Sequence, residues 1–435
     1  REFADHYDQR AVEERGWIGD DEIRELGERG LLGLYVPEEY GGAGLSQTGY
    51  CRVSEEFAQI DATLSVVMGV HQSIGMKGFE VGERYDTMGL RGNDLRRLYF
   101  KDLRIPPENV LGEPGEGFRT AMQILNNGRL SLGTGSVGAS KWLLDRVIQH
   151  VKERRQFDRP LADFELVQEK IGWMVSFTFG LESMAYLTTG LVDRGIPDYS
   201  LESAICKVSG TEFMWYAANR ALQLKGGEGY MRDQPYEKLL RDIRIFPIFE
   251  GANDVMRAFI ALSGMKPLGE ELKELADISL SEPIGSLGVL ADYVAGRIQR
   301  EVRPDRVTRA HPELSALAEP VTDQVKRLRE VSEAQLRKHR DGIAERQFVQ
   351  KRLSDAVSDI YAQIAVLSRV TAIFEEQGVG PSGQERYIAE TFCPRAARRV
   401  RSNLDQVETN DDERMAAIAK LAYKRGEYGY ALFDG

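Results

Sequence analysis

Between Phe118 and Leu262 the chain carries about four long stretches whose apolar residues recur at three- and four-residue steps, and this periodicity constrains the fold more than any other feature. Leu143, Val147 and Val151, with Leu144 and Ile148 beside them, form one apolar stripe, and Ile171, Met174, Val175 and Phe179 form another. A helix with a single apolar stripe must bury it against a neighbour, so successive helices of this kind predict an antiparallel bundle. The Gly226-Gly227 pair is expected to end one helix by supplying left-handed backbone.

The rest of the chain is read around that bundle. Residues 1–36 have a helical pattern, with Trp17, Ile18, Ile23, Leu26, Leu31 and Leu32 among charges, and VPEEYGGAGLS breaks it as a loop. Tyr50 to Gly78 reads as a helical pair, and LYFKDLRIP, from Leu98 to Pro106, carries the one convincing strand signal. GEPGEG, from Gly112 to Gly117, is read as a plain turn rather than a phosphate cradle, because no strand-turn-helix fingerprint surrounds it. After Gly264, Pro and Gly interruptions suggest a linker or loosely docked segment, followed by helical patterns from Pro312 to Glu376 and from Arg386 to Leu432. Ile284 to Ile298 is read as an amphipathic helix that either packs on the protein's own core or lies on a membrane surface. Arg395, Arg398, Arg399 and Arg401 form either a solvated helix face or a site for lipid phosphates.

Composition narrows the function classes. A net charge of −11 and a pI near 5.3 argue against general nucleic-acid binding, which depends on neutralising phosphates with Lys and Arg. No run of eighteen or more apolar residues predicts a membrane span, and Arg1 onward lacks the layout of a secretory signal. Cys51, Cys206 and Cys393 are odd in number and far apart, which predicts no disulfide framework and fits a reducing compartment. The five scattered histidines offer no metal-ligand spacing, so no metal site is expected, and His71 is read as a satisfied histidine between helices.

One segment points to chemistry. RDIRIFPIFEGANDVMRAFIAL, from Arg241 to Leu262, sets Glu250 between Phe249 and Gly251. Burial there would raise the carboxylate's pKa and suit it to proton abstraction, with the glycine letting a ligand approach; by context alone, a solvated Glu at the start of a helix is the ordinary alternative. The segment resembles the catalytic loop of acyl-CoA dehydrogenases. QLKGGEGY from Gln223 to Tyr230, RRQFDRPL from Arg154 to Leu161 and NNGR from Asn126 to Arg129 match the same family in order. The resemblance spans the chain and, with the helical region after Gly264, is strongest to the very-long-chain branch.

The resemblance implies a mainly α fold: N-terminal helices over 1–80, a remnant of a middle β-domain over 81–112, a four-helix bundle with the catalytic Glu over 113–264, a linker or membrane-surface segment over 265–311, and an extra helical domain over 312–435. It implies FAD-dependent α,β-dehydrogenation of long-chain fatty acyl-CoA thioesters, with Glu250 as the base. By position it places Asn126, Asn127, Gly128, Arg129, Phe249 and Gly251 at the substrate, with the Arg near the CoA moiety. It places Arg154, Phe157, Gln223, Gly226, Gly227, Ala252, Asn253 and Asp254 at the cofactor, Arg154 reaching the flavin diphosphate of a neighbouring subunit. Outside the resemblance, Arg129 reads as a surface Arg, Arg154 as one half of an ion pair, Phe157 as a core Phe and Gln223 to Gly227 as a helix end. SLGTGSVGAS, from Ser131 to Ser140, is read as close helix packing, with room for an acyl chain as the alternative. An electron-transfer flavoprotein as acceptor, a homodimer, peripheral membrane contact, and a bacterial cytoplasm or mitochondrial matrix follow from the same resemblance.

The chain departs from the family pattern in three places. Ala252 stands where a flavin-contacting Thr is usual, and Asp158 stands where a Gly is usual, setting a negative charge near the expected diphosphate. The strand-rich segments that hold the flavin ring are missing near Val81, on the order of a hundred residues, the size of a small domain. The lack of Met at Arg1 favours an omitted segment over a true loss. A flavin-free helical scaffold or acyl-CoA-binding protein is the competing reading, and an acyl-CoA oxidase a third.

Overall fold

The computed structural model describes residues 3, 7–73, 80–101, 107, 110–281, 309–380 and 383–430, with side chains in 68–73 and 271–281 left undescribed. Helices build nearly all of it. The N-terminal part is more broken than its periodicity suggests. Helix α1 (Gln9–Arg15) is capped by Asp8, whose carboxylate accepts from the N–H groups of Arg10 and Ala11, and stops at Gly16 with φ +78°. Helix α2 (Asp20–Glu28) gives way to turns up to Val36. Helices α3 (Gln47–Ile60) and α4 (Ala62–Ser73) are the expected pair, divided at Asp61, which is extended and accepts from the Thr63 N–H at 2.8 Å. His71 lies in α4, and its surroundings fall outside the described side chains.

Strands β1 (Glu80–Arg84) and β2 (Arg96–Tyr99) form an antiparallel ribbon with Val81 opposite Leu98. The strand expected over 98–106 thus begins and ends earlier, and residues 102–106 lie outside those described. The ribbon is tied to the bundle at its turn: Leu90 N–H donates to Asp242 at 2.7 Å, and a Cβ on Gly89 would stand 2.3 Å from the Arg241 carbonyl.

The bundle comprises α5 (Gly117–Glu153), α6 (Glu165–Asp193), α7 (Ser200–Lys225) and α9 (Asn253–Ser281), with short α8 (Pro235–Ile243) leading into the loop before α9. A short hairpin of β3 (Arg155–Gln156) and β4 (Arg159–Pro160) joins α5 to α6. Every residue from Arg129 to Ser140 is buried. A Cβ on Gly138 would stand 2.1 Å from the Glu55 carbonyl oxygen of α3, and one on Gly133 would stand 3.1 Å from the Cys206 carbonyl oxygen of α7. The small-residue stripe therefore brings backbones together and leaves no space for a chain of ligand.

Helix α9 continues through Pro267 to Ser281, so the helix does not stop at Gly264 as its Pro and Gly content suggests. The stretch Ile284 to Ile298 lies outside the described residues. Helices α10 (Ser315–His339), α11 (Gln347–Gln377), α12 (Gln384–Glu408) and α13 (Asp412–Arg425) follow, so each of the two expected C-terminal patterns is divided in two. Arg340, with φ +50°, makes the first break. Helix α11 is long and apolar enough to cross a membrane by composition, but it packs against α6, α9, α10 and α12 with Ala365, Val366 and Val370 buried, as a core helix does. The three cysteines are free and buried.

Candidate active site

Helix α8 ends at Ile243, and the turns that follow bring Pro247 back so that its carbonyl accepts from the Asn253 N–H at 2.9 Å, where α9 begins. This places Glu250 and Gly251 at the apex with φ values of +57° and +93°. A non-glycine residue in that region costs about 1–2 kcal/mol and persists only when its surroundings hold it. Two cations do so. Arg129 Nε donates to the Glu250 carbonyl at 3.1 Å, and Lys207 Nζ donates to the Gly251 carbonyl at 2.8 Å and to Asn253 Oδ1 at 2.7 Å. At Gly251 the left-handed backbone favours glycine; a Cβ there would also stand 2.7 Å from the Cε of Met256, at the flexible end of that side chain.

The Glu250 carboxylate rests on α5. A Cβ on Gly128 would stand 2.8 Å from its Oε2, which is buried without a hydrogen-bond partner among the described residues. Burial pushes the Glu250 pKa up, and the charges of Arg129 and Lys207 pull it back only in part. Phe249 stacks on Phe246 with ring centres 5.5 Å apart.

Beside Gly128 lies a cavity of about 880 Å³, which shares that glycine with the Glu250 contact but is not itself lined by Glu250. Gly128, Asn127 and Ile124 of α5 line it together with Tyr35, Leu45 and Tyr50, while Glu38 and Asp193 supply charge. Asp193 also accepts from the N–H groups of Gln47 and Thr48, fixing the N-terminus of α3 against the end of α6. Tyr199 donates its hydroxyl to Asn127 Oδ1. Tyr50, deep in the cavity wall, has its hydroxyl pKa pushed up to about 12 by burial, with a small contribution from the charge of Glu250.

The structure gathers Asn126, Asn127, Gly128, Arg129, Phe249, Glu250, Gly251, Ala252 and Asn253 at one place and revises several readings. Arg129 is not a surface Arg: it is 3% exposed, and besides the Glu250 carbonyl it binds Asn126 Oδ1 at 3.2 Å. Asn253 is buried with its amide bound to Thr211, Glu212 and Lys207, so it supports the loop from beneath. Asp254 points to solvent, 98% exposed. Lys207 went unnoticed in the sequence; its only signal is a lone cation in the small and apolar run SAICKVSG. It is fully buried, and burial pushes its pKa down to about 8.

Arg154, Phe157, Gln223, Gly226 and Gly227 lie elsewhere. Arg154 is twenty-six residues beyond Gly128 at the far end of α5, about 40 Å away at 1.5 Å per residue. Lys225 Nζ stands 3.3 Å from His150 Nδ1 of α5 and 3.1 Å from Glu228, so the two motifs form one exposed patch. Arg154 has no ion-pair partner among the described residues. Phe157 is 84% exposed rather than in the core, and both it and Asp158 are left-handed, with φ +51° and +62°. Asp tolerates that conformation better than most residues, which explains how it replaces glycine in the turn.

A buried Glu in a left-handed turn, one residue away from the wall of a cavity, is a candidate site for acid-base chemistry. Residues 1–82 match the acyl-CoA dehydrogenase N-terminal domain, 115–265 the acyl-CoA dehydrogenase C-terminal domain, and 312–428 the ACAD9/ACADV C-terminal domain. The mitochondrial very long-chain specific acyl-CoA dehydrogenase of Rattus norvegicus is 30% identical, over 91% of this chain and 76% of that one. That of Homo sapiens is 30% identical over 95% and 79%. The crystal structure of an acyl-CoA dehydrogenase complexed with FAD from Bacillus anthracis superposes with a TM-score of 0.75 over 93% of this chain and 84% of that one, at 22% identity. The chain belongs to the acyl-CoA dehydrogenase family.

Proposed function

We propose that this chain oxidises long-chain fatty acyl-CoA thioesters to α,β-unsaturated products, with Glu250 as the base that removes the α-proton and FAD as the redox cofactor. The observation that carries this reading is the carboxylate itself: Glu250 is desolvated, unpartnered at Oε2 and packed against Gly128, a residue that also lines a cavity large enough for an acyl chain. A thioester α-hydrogen is a weak acid, so a base with a raised pKa and a donor for the carbonyl oxygen are both required. The Glu250 N–H has no acceptor among the described residues and serves as that donor. Arg129 and Lys207 hold the loop so that the N–H and the carboxylate face one substrate.

The residues present fit a dinucleotide cofactor at two points. Arg154 offers an unpaired fork of donors suited to a diphosphate, beside an open Gly226 with φ +65° that a phosphate or adenine can approach closely. Ala252 and the start of α9 lie next to the proposed base, where the flavin ring would meet the substrate. When bound, FAD supplies the acceptor for the β-hydride, which no side chain can take. These two contact regions are about 40 Å apart along α5, too far for one FAD to bridge, so each FAD would be held by Arg154 of one chain and the Glu250 loop of another. This supports a homodimer. An electron-transfer flavoprotein as acceptor, peripheral membrane contact, and a mitochondrial matrix or bacterial cytoplasmic location belong to the same proposal. So does the division of the chain into the five segments with limits at 80, 112, 264 and 311.

One observation favours the flavin-free scaffold. The ribbon exposes Val81, Leu98, Tyr99 and Phe100, with no further strand beside it among the described residues. A direct test is the absorbance of the purified protein. A flavin band that bleaches when palmitoyl-CoA is added under anaerobic conditions is expected; a colourless protein that stays inert after FAD is supplied sinks the enzyme reading.

A further inference from the structure

Away from the catalytic loop, the seam between α6, α7 and α12 holds a cavity in two parts. One is an apolar groove of about 340 Å³ with Ile171, Val175, Tyr387 and Ile388 in its walls. The other, about 130 Å³, is lined by Glu169, Lys170, Trp173, Tyr216, Arg220 and Arg395. Glu169, Trp173 and Arg395 line both, which sets the two side by side along the seam as an apolar arm and a polar end of one channel-like site.

The polar end sets three cations against one carboxylate in a protein of net charge −11. Arg220 lies over the Tyr216 ring and Arg395 over the Trp173 ring, each 4.9 Å from the ring centre. Neither has a carboxylate partner among the described residues. Arg399, one turn further along α12, differs: its Nε and one terminal nitrogen donate to Asp359, at 2.9 and 2.5 Å. Lys170 Nζ uses one donor on the Leu166 carbonyl at 2.9 Å and keeps the others. Arginines placed over aromatic rings and without a carboxylate partner keep N–H donors for a phosphate or carboxylate.

We propose that this channel binds a single-chain amphiphile with an anionic head, the head held by Lys170, Arg220 and Arg395 and the tail laid along Ile171, Val175 and Ile388. The apolar arm sits at the lower end of the size range for small-molecule sites, about 300–1,000 Å³, which suits one alkyl chain and not a diacyl lipid. Because α12 supplies one wall and the bundle the other, the ligand clamps the C-terminal helices onto α6.

The test is binding of dodecyl phosphate to the full-length protein, below the concentration at which it forms micelles. Thermal unfolding and tryptophan fluorescence are read together, Trp173 being one of four tryptophans. Saturable quenching and a raised Tm are expected, with inorganic phosphate and dodecyl maltoside each at least ten-fold weaker. Arg220→Gln and Arg395→Gln are expected to weaken dodecyl phosphate at least ten-fold, and Arg395→Lys to weaken it less. Arg220 touches nothing at the Glu250 loop, so its effect separates this channel from the catalytic cavity; if Arg395→Gln lowers Tm without ligand, Arg220→Gln decides. Equal binding by wild type and both Gln variants, or equal binding of dodecyl maltoside, overturns the proposal. So does capture by phosphatidic-acid vesicles without binding of monomeric dodecyl phosphate, which would make the face a membrane surface.

Discussion

At Glu250 burial favours the neutral acid, while Arg129 and Lys207 favour the carboxylate, and burial is the larger influence. Only the ionised form accepts a proton, so kcat/KM is expected to rise with pH through a value above the ordinary carboxylate range; an acid limb within that range would show a solvated base. Glu250→Gln removes the base without removing a hydrogen bond from Oε2, so the fold and Tm should survive while kcat falls about 10²–10⁴-fold. Unchanged turnover would place the base elsewhere. Lys207→Met deletes one of the two cations that oppose burial, so it should move the acid limb to higher pH, whereas a purely structural lysine would alter Tm and leave the limb in place. The stability of the wild type carries its own sign. With a pKa near 8 in the fold and about 10.4 when unfolded, the native state releases the Lys207 proton first. Between those values the unfolded chain binds more protons, so this group's contribution to stability grows with rising pH, and denaturant titrations of wild type against Lys207→Met across that window measure it.

At the scale of helices, the site depends on how closely α3, α5 and α6 approach. Gly138→Ala would gain about 1 kcal/mol of helix propensity in an exposed helix. Here the new Cβ would stand 2.1 Å from the Glu55 carbonyl oxygen of another helix, and overpacking of a tight core costs about 1–3 kcal/mol, so net destabilisation is expected. Nearby, Lys141 Nζ bridges Glu55 at 2.6 Å and Glu182 at 2.5 Å, Arg369 of α11 reaches Glu182 at 2.7 Å, and Tyr186 donates to Glu55. Glu55 is 1% exposed and its other cation, Arg52, stands 3.6 Å away and half exposed, so Lys141→Met leaves a buried charge with only that weaker partner and should cost about 3 kcal/mol in chemical denaturation. A loss within a few tenths would mean that Tyr186 and Arg52 satisfy Glu55 unaided. None of this network is legible in the sequence, because its members are 41 to 187 residues apart and each looks like an ordinary surface charge. The helices and the Glu250-Gly251 apex were legible, since periodicity and a short motif are local signals. The bond from Arg129 to the Glu250 carbonyl was not legible for the same reason as the network: the Arg129 motif is local, but the carbonyl it binds is 121 residues away.

For the whole molecule, the proposed cofactor role of both patches would make the assembly part of the active site, because the two are far apart. Asn127, Gly128 and Glu250 lie at one end of α5 and Arg154 at the other, about 40 Å away. If Arg154 serves the cofactor of a second chain, chains carrying Glu250→Gln and chains carrying Arg154→Ala should each be nearly inactive alone. Co-expressed with different tags, they form mixed dimers in which one site receives Glu250 from one chain and Arg154 from the other, while the remaining site carries both defects. Random pairing makes about half of the dimers mixed, so the pool should regain roughly a quarter of wild-type activity, and dimers isolated through both tags roughly half. A light-scattering mass of one chain, or a co-expressed pool no more active than its parents, would mean that Arg154 acts within its own subunit or not at all. The same experiment bears on the exposed ribbon. Val81, Leu98, Tyr99 and Phe100 are between 44% and 53% exposed, and if pairing of two chains covers them, Tyr99→Ser and Phe100→Ser should shift the mass toward one chain and abolish the complementation together.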